Sequence, residues 1–180
     1  MSLSEQAILD RARQVRALVL DVDGVLTDGR LLYLPQGPDQ EAKSFHCHDG
    51  LGLRLAREAG WQVALLTGRR SSVVERRARE LDIPDVLSGA FPKLPVFEAW
   101  CRRRGMDADQ VAYMGDDLVD VPILRRVGLG AAVADAHQEA RRAAIWVSSR
   151  PGGAGAVREL VEYLLHAQGR WDELVAPLLA

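Results

Sequence analysis

Short apolar runs alternate along this chain with longer amphipathic stretches, and this alternation constrains the fold more than any other feature. Such runs are typical of strands that are buried on both faces of a parallel sheet. The amphipathic stretches between them are typical of helices that cover the sheet. The strands are predicted at residues 17–20, 63–66, 85–88, 111–114, 129–133 and 145–147. We therefore expect an α/β fold, a Rossmann-like parallel sheet with helices on both faces.

One segment after the first strand breaks this alternation. Residues 30–34 and 41–45 flank the segment 35–40, which is too rich in proline and glycine for a helix. This pattern predicts a β-hairpin that projects from the sheet. The 180 residues are expected to form a single domain, 1–180, without a separate cap domain. Within it we expect the hairpin flap at about 29–46 and a C-terminal helix and tail at about 152–180.

Composition argues against several classes of protein. The formal net charge of −2 disfavours nucleic acid as a partner. No apolar run approaches the length of a membrane span, and residues 1–16 alternate like a surface helix instead of showing the order of a secretory signal. The two cysteines, Cys47 and Cys101, lie far apart, as in proteins of a reduced compartment. We expect a cytoplasmic protein that acts on a small molecule, with no nucleic-acid or membrane partner.

Asp21 and Asp23 directly follow the first predicted strand and lie in a turn that contains Gly24. In an extended segment both carboxylates point to the same side. Their mutual repulsion is relieved by a shared hard cation such as Mg²⁺. One carboxylate can then attack phosphorus, while the other protonates a leaving alcohol and later activates water. The alternative is a capped turn without catalytic function, because Asp-Gly turns are common.

Other strand ends supply the remaining groups that phosphoryl transfer needs. Thr67, at the end of the second run, offers a hydroxyl beside backbone N–H groups that can hold a phosphoryl group. Lys93 begins a helical segment, where the helix dipole disfavours an ammonium, so it serves a ligand or is solvated. Asp116 follows a buried strand and a glycine, which favours a metal ligand. For Asp120 a cap or first-turn acid is the better interpretation.

These segments, in this order, resemble the four motifs of the haloacid dehalogenase superfamily. The motifs are Asp21-x-Asp23-Gly24, Leu66-Thr67-Gly68-Arg69, Lys93 and Gly115-Asp116-Asp117-x-x-Asp120. Longer blocks are similar to the 3-deoxy-D-manno-octulosonate 8-phosphate (KDO 8-phosphate) phosphatase family within it: residues 21–29, 45–50, 113–120, 133–136, 152–159 and 167–169. The resemblance implies Mg²⁺-dependent hydrolysis of KDO 8-phosphate through an aspartyl-phosphate, as a step of lipopolysaccharide biosynthesis.

The resemblance also implies a role for each matching residue. Asp21 would be the nucleophile and Asp23 the general acid and base, with Thr67 and Lys93 stabilising the phosphoryl group. Mg²⁺ would be bound by Asp21, the backbone carbonyl of Asp23 and Asp116, with Asp117 in the outer shell. The substrate contacts would be Asp23, His46, Cys47, His48, Asp49, Gly50, Arg54, Arg69, Arg77 and Lys93. Arginine forks suit a ligand that carries both a carboxylate and a phosphate. A homotetramer whose subunits close each other's active sites is expected, with residues 170–174 reaching a neighbour.

Two further segments, 45–50 and 152–155, each allow more than one interpretation. The loop Phe45-His46-Cys47-His48-Asp49-Gly50 differs from the family pattern after the phenylalanine, which leaves a nine-carbon sugar acid phosphate as an alternative substrate. A zinc site in this loop is disfavoured, because His46 and His48 share a face while Cys47 points away. The segment 152–155 lacks the lysine and the Ser/Thr of a P-loop, so we expect a flexible connection into a helix over 156–167.

Two other classes of function compete with a phosphatase. A signalling receiver domain also combines an acidic cluster with a threonine and a lysine, but it places the acidic pair on the first strand and the acceptor later. A catalytically silent interaction module would not need the complete set of Asp21, Asp23, Thr67, Lys93 and Asp116. The order and completeness of the motifs therefore favour the enzyme.

Overall fold

A six-stranded parallel sheet forms the centre of the computed structural model, which describes residues 3–35 and 41–180. The strands of the described residues are β1 (Ala17–Leu20), β2 (Leu32–Tyr33), β3 (Glu41–Ala42), β4 (Gln62–Thr67), β5 (Asp85–Ser88), β6 (Val111–Gly115), β7 (Leu129–Ala132) and β8 (Trp146–Val147). Strands β2 and β3 pair with each other, and the other six form the central sheet. The sheet order is β5-β4-β1-β6-β7-β8, with every neighbouring pair parallel. The predicted strands are confirmed with small shifts at their ends, and the predicted fold class is confirmed.

The order of the strands creates a crevice at the carboxyl end of β1. The chain moves from β1 outward to β4 and β5, then returns to β6 on the other side of β1 and continues outward in the opposite direction. In open α/β sheets, such a reversal leaves a crevice where ligands bind. The backbone N–H of Asp21 donates to the carbonyl of Met114 over 3.0 Å, so β1 and β6 remain joined where the crevice begins.

Helices cover both faces of the sheet, as predicted. They are α1 (Glu5–Gln14), α2 (Cys47–Glu58), α3 (Ser72–Glu80), α4 (Lys93–Arg104), α5 (Val121–Leu124), α6 (Gln138–Ala143), α7 (Ala156–Ala167) and α8 (Trp171–Leu179). Helices α1, α2 and α7 pack together, and α4, α5 and α6 form the second group. Trp100, Phe97 and Tyr113 are among the largest fully buried side chains of the core. Within the described ranges, no helix is both long and apolar enough to cross a membrane.

The hairpin predicted after β1 is present, with shorter strands than expected. Leu32 pairs with Ala42 and Tyr33 with Glu41 in an antiparallel ladder. Leu32 and Tyr33 are 57% and 63% exposed. The predicted turn at 35–40 lies mostly outside the described residues, which exclude 36–40.

The glycine-rich segment before α7 is packed tightly, and the prediction of a flexible connection was wrong. The N–H of Gly153 donates to the carbonyl of Val25 over 2.9 Å. A Cβ on Gly152 would lie 1.9 Å from the carbonyl oxygen of Gly24. The glycines are therefore required because two backbone segments touch, and one of them is the turn that carries Asp23.

We expect Gly152→Ala to damage both stability and activity. The new methyl group would meet backbone atoms, so the turn at Gly24 must shift, at a cost of about 1–3 kcal/mol in the free energy of unfolding. Gly60→Ala is the matched control: its Cβ would meet no atom within 4 Å, although its φ of +80° causes a strain of roughly 1–2 kcal/mol.

Thermal unfolding and phosphate release would be measured for both variants. The expected result is comparable destabilisation with a loss of turnover in Gly152→Ala alone. Full turnover in Gly152→Ala would contradict the role of this contact.

Candidate active site

The carboxyl ends of β1, β4 and β6 bring the predicted catalytic side chains to one place. Asp21 follows β1 and is 5% exposed, Thr67 ends β4 and is 2% exposed, and Asp116 follows β6. Lys93 is the first residue of α4, and its Nζ lies 2.8 Å from Oδ1 of Asp21. Segments that are distant in sequence therefore meet at one edge of the sheet, with Lys93 and Asp116 close to the buried Asp21 carboxylate.

Lys93 is buried between two carboxylates. Its Nζ also lies 2.7 Å from Oδ1 of Asp120, and its side chain is 4% exposed. Burial alone would lower the pKa of Lys93, but the charges of Asp21 and Asp120 outweigh burial and raise the pKa above the ordinary value. The side chain is thus held as an ammonium despite its position at a helix N-terminus, where the dipole is unfavourable.

Asp120 organises the loop after β6. Its Oδ2 accepts hydrogen bonds from the backbone N–H groups of Asp116 (3.0 Å) and Asp117 (3.1 Å), as expected of a cap acid. Its Oδ1 accepts from Lys93 and, over 2.5 Å, from the hydroxyl of Tyr113. Because both oxygens are engaged, Asp120 is a scaffold for the loop, and the neighbouring Asp116 is better placed to bind a metal.

The Tyr113 contact was missed by the sequence analysis. The only signal was a tyrosine inside an apolar run, whose buried hydroxyl needs a partner. Burial, followed by the charge of Asp120, raises the pKa of Tyr113 well above its ordinary value, so the hydroxyl remains a proton donor.

Asp21, Asp116 and Asp120 form a crowded acidic cluster, with ligand oxygens within 4.8 Å of one another. Burial and then the charge of Asp120 raise the pKa of Asp21 well above its ordinary value and that of Asp116 to about 6. Oδ1 of Asp116 is buried without a hydrogen-bond partner in the described part of the chain. Three close carboxylates with one unpartnered oxygen fit a small divalent cation with oxygen ligands, such as Mg²⁺.

Gly24 leaves room for this cluster. A Cβ at this position would lie 2.1 Å from Oδ2 of Asp116, and the glycine has a φ of +90°. Only glycine adopts this conformation readily and also lets Asp116 approach the turn that carries Asp23.

Asp23 is held by a lysine that the sequence analysis did not single out. Nζ of Lys43 forms an ion pair with Oδ1 of Asp23 and lies 3.8 Å from Oε2 of Glu41. Glu41 in turn lies 3.4 Å from Nη2 of Arg69. The signal was the alternation of Glu41 and Lys43 on one face of the predicted strand, which directs both side chains to the site.

Thr67 lies in the turn predicted to hold a phosphoryl group. The backbone N–H of Arg69 donates to its Oγ1 over 3.2 Å, which fixes the hydroxyl relative to the turn. An accepting hydroxyl still has its own proton to donate to a phosphoryl oxygen.

Residues 46–50, which were expected to form a loop, are instead the N-cap and first turn of α2, and Asp49 anchors this turn to α7. His46 caps the helix by accepting, at Nδ1, from the N–H of His48 over 3.2 Å. The Asp49 carboxylate is 1% exposed and accepts from the N–H groups of Gly155 (3.2 Å) and Arg158 (2.8 Å). Burial outweighs these bonds and raises its pKa.

The expectation that Asp49 contacts substrate is therefore corrected, because its carboxylate faces backbone amides inside the protein. Its effect is indirect: Asp49 fixes the N-terminus of α7 against α2, and so holds the more exposed residues of the first turn of α2 in place.

The other predicted substrate contacts form a separate group. Cys47, Gly50, Arg54 and Arg77 line a cavity of about 720 Å³ between α2 and α3. Arg54 is paired with Glu58 over 2.7 Å, and the Arg77 guanidinium lies 5.7 Å from the centroid of the Phe45 ring. The residues that line this cavity do not include Asp21, Asp23 or Asp116.

The fold and the acidic crevice are those of a haloacid dehalogenase-like hydrolase, and a model of that description matches residues 82–159. The chain is 42% identical over 166 residues to 3-deoxy-D-manno-octulosonate 8-phosphate phosphatases of Salmonella typhi and Escherichia coli K12, covering 92% of this chain and 87% of each relative. It belongs to this phosphatase family. The Moraxella catarrhalis phosphatase structure, in complex with magnesium ion, phosphate ion and KDO molecule, matches with a TM-score of 0.94 and 35% identity, covering 97% of this chain and 99% of that one.

Mg²⁺ is expected to stabilise the protein in a pH-dependent way. The pKa of Asp116 rises from 3.8 to about 6 on folding, so between these values the folded chain holds a proton that the unfolded chain has lost. This contribution to stability is present at low pH and is lost as the pH rises through about 6. A cation that binds the ionised cluster restores the stability that the loss of this proton removes.

Thermal unfolding with and without Mg²⁺ would measure this effect. We expect Mg²⁺ to raise Tm by roughly 3–6 °C at pH 7.5 and by less than about 1 °C at pH 5. Asp116→Asn should remove the increase at both values. An increase of the same size at both pH values in the unmodified chain would contradict the assignment of the cluster.

Proposed function

We propose that the protein is a Mg²⁺-dependent phosphatase that hydrolyses KDO 8-phosphate to KDO and inorganic phosphate through an aspartyl-phosphate on Asp21. The observation that carries this proposal is the contact of Lys93 with Asp21, over 2.8 Å, inside a cluster of carboxylates at the sheet crevice. An ammonium beside a nucleophilic carboxylate stabilises the negative charge that a phosphoryl group brings to it. The membership of the phosphatase family supports the choice of substrate.

In the first step, a carboxylate oxygen of Asp21 forms a bond to phosphorus, and the sugar oxygen departs with a proton from Asp23. Thr67 and Lys93 donate to the phosphoryl oxygens. In the second step, Asp23 takes a proton from water, which attacks phosphorus and regenerates Asp21. Mg²⁺ held by Asp21, the carbonyl of Asp23 and Asp116, with Asp117 in the outer shell, supplies positive charge that neutralises the phosphoryl oxygens.

The substrate contacts proposed for this site come from two groups. Arg69 lies beside Glu41 at the catalytic centre, whereas Arg54 and Arg77 line the cavity between α2 and α3. Arginine forks bind carboxylate and phosphate well. We therefore assign Arg54 and Arg77 to the active site of a neighbouring subunit in a homotetramer. The exposed hairpin residues Leu32 and Tyr33 supply an apolar surface for such contacts.

The proposal places the enzyme in the cytoplasm, in lipopolysaccharide biosynthesis. Both cysteines are free thiols, with Cys47 exposed and Cys101 buried, as a reduced compartment would leave them. The loop of His46, Cys47 and His48 is where discrimination between eight-carbon and nine-carbon sugar acids would be made.

Removal of the nucleophile tests the reaction. Phosphate release would be measured with and without Mg²⁺ from KDO 8-phosphate, nine-carbon sugar acid phosphates and hexose phosphates. We expect a Mg²⁺-dependent preference for the eight-carbon acid, and a loss of at least about a thousandfold in Asp21→Asn, which keeps the shape and removes the nucleophile.

Asp28→Asn, at an exposed carboxylate in the same turn, is the matched control and should retain activity. Equal turnover of many phosphates would contradict the substrate, and activity in Asp21→Asn would contradict the nucleophile.

The assembly is tested by light scattering at micromolar concentration. The unmodified chain should have the mass of a tetramer, and Leu32→Glu should dissociate it, because a charge at an apolar interface is costly to bury. Leu3→Glu alters another exposed leucine, 39% exposed and outside the hairpin, and should leave the mass unchanged. A monomeric mass for the unmodified chain would refute the tetramer.

A further inference from the structure

Lys43 has no role in the reaction described above, yet it touches the residue that moves the proton. Its side chain is 1% exposed, and its Nζ forms an ion pair with Oδ1 of Asp23. We propose that Lys43 is a positioning residue for Asp23: it fixes one carboxyl oxygen, so that the other exchanges protons with the leaving group and with water. This inference rests on the proposed phosphatase reaction and adds a specific residue to it.

The position of Lys43 is fixed from both sides. Behind it, Glu41 pairs with Tyr33 in the hairpin ladder, and Oε2 of Glu41 lies 3.8 Å from the ammonium. In front of it, the side chain of Asp23, which belongs to the turn after β1, is 20% exposed. Desolvating an ammonium costs free energy unless it is paired, so the lysine is retained there only with its carboxylate partners.

The chemistry of the two groups determines which oxygen of Asp23 carries the proton. An ammonium only donates hydrogen bonds, so the oxygen it contacts must act as an acceptor. Oδ1 meets this requirement as a carboxylate oxygen and also as the carbonyl oxygen of a neutral carboxyl group. The ion pair can therefore persist through both steps, and the proton is confined to Oδ2.

In the first step, the bond from Asp21 to phosphorus forms while the bond from phosphorus to the sugar oxygen breaks. The electron pair stays on the sugar oxygen, which takes the proton from Oδ2 of Asp23. In the second step, Oδ2 takes a proton from the attacking water, and the bond between Asp21 and phosphorus breaks. A freely rotating Asp23 would present the wrong oxygen, or none, for part of the time.

A competing explanation is that Lys43 merely attaches the hairpin to the protein. The two roles differ in their dependence on the leaving group. A sugar alkoxide is a strong base and needs a proton to depart, whereas a nitrophenolate is a stable anion and does not. Loss of proton positioning slows alkyl phosphates selectively, but loss of hairpin attachment slows every substrate alike.

The test compares kcat/KM for a series of alkyl, sugar and nitrophenyl phosphates, with Mg²⁺ present. This parameter covers the steps up to departure of the leaving group, so slow hydrolysis of the aspartyl-phosphate does not mask the effect. For Lys43→Met, which keeps the length and removes the charge, we expect a loss of roughly 10–100-fold on sugar and alkyl phosphates and less than about threefold on nitrophenyl phosphate.

Three variants serve as references. Asp23→Asn should show the same selectivity with a larger loss, and Lys43→Arg should restore most of the activity on alkyl phosphates, because it restores the donor. Glu41→Gln weakens the contacts with Arg69 and with Lys43 but keeps the ammonium of Lys43 beside Asp23, so its loss on alkyl phosphates relative to nitrophenyl phosphate should be smaller than that of Lys43→Met. Thermal unfolding of each variant checks that it is folded.

Equal losses on alkyl and nitrophenyl phosphates in Lys43→Met, or no loss on either, would overturn the inference. An unmodified enzyme that hydrolyses simple alkyl phosphates but not KDO 8-phosphate would overturn the proposed substrate alone, and the Lys43 comparison would be decided on those alkyl phosphates. An unmodified enzyme that hydrolyses none of the phosphates would overturn both the proposed function and the inference.

Discussion

The buried ammonium of Lys93 holds the site together. It lies 2.8 Å from Asp21, which follows β1, and 2.7 Å from Asp120, in the turn after β6, and these two carboxylates would otherwise repel each other. Burying such charges costs several kcal/mol per ion even when they are paired, so the cluster adds little to the stability of the fold. Its value is electrostatic: the field that a phosphoryl group needs is in place before any substrate arrives. The raised pKa values of Asp21 and Asp116 reflect the same crowding.

The fold and the central residues were accessible from the sequence for one physical reason. Strands of a parallel sheet are buried on both faces, so each is an unbroken apolar run, and the polar residue that ends the run marks the edge where ligands bind. Asp21, Thr67 and Asp116 were found in this way. The predicted and observed ends of β4 and β8 differ by one residue, because the last residues of a strand make few contacts and leave little signal in the sequence.

The sequence did not reveal specific side-chain contacts between different elements of the fold. Asp49 caps a helix more than a hundred residues away, and Tyr113 donates to Asp120 across a turn. No local period or spacing encodes such pairs, since each depends on how the finished elements pack. The tight contact of Gly152 with Gly24 has the same origin: glycines that suggest flexibility in sequence here allow two backbones to touch.

The hairpin combines two duties that are separable on its two faces. One face carries Glu41 and Lys43, which reach Asp23 and Arg69, together with Tyr33, which pairs with Glu41, and the other face presents Leu32 to the surface. A two-stranded ribbon is marginally stable alone, so the charged contacts on the inner face are needed to keep it in place. A subunit that packs against the outer face would therefore press on the same element that carries Lys43, the residue we propose to orient Asp23. In the proposed homotetramer, assembly and proton transfer would be linked through a single ribbon, and we expect a substitution on one face of the ribbon to affect the other face.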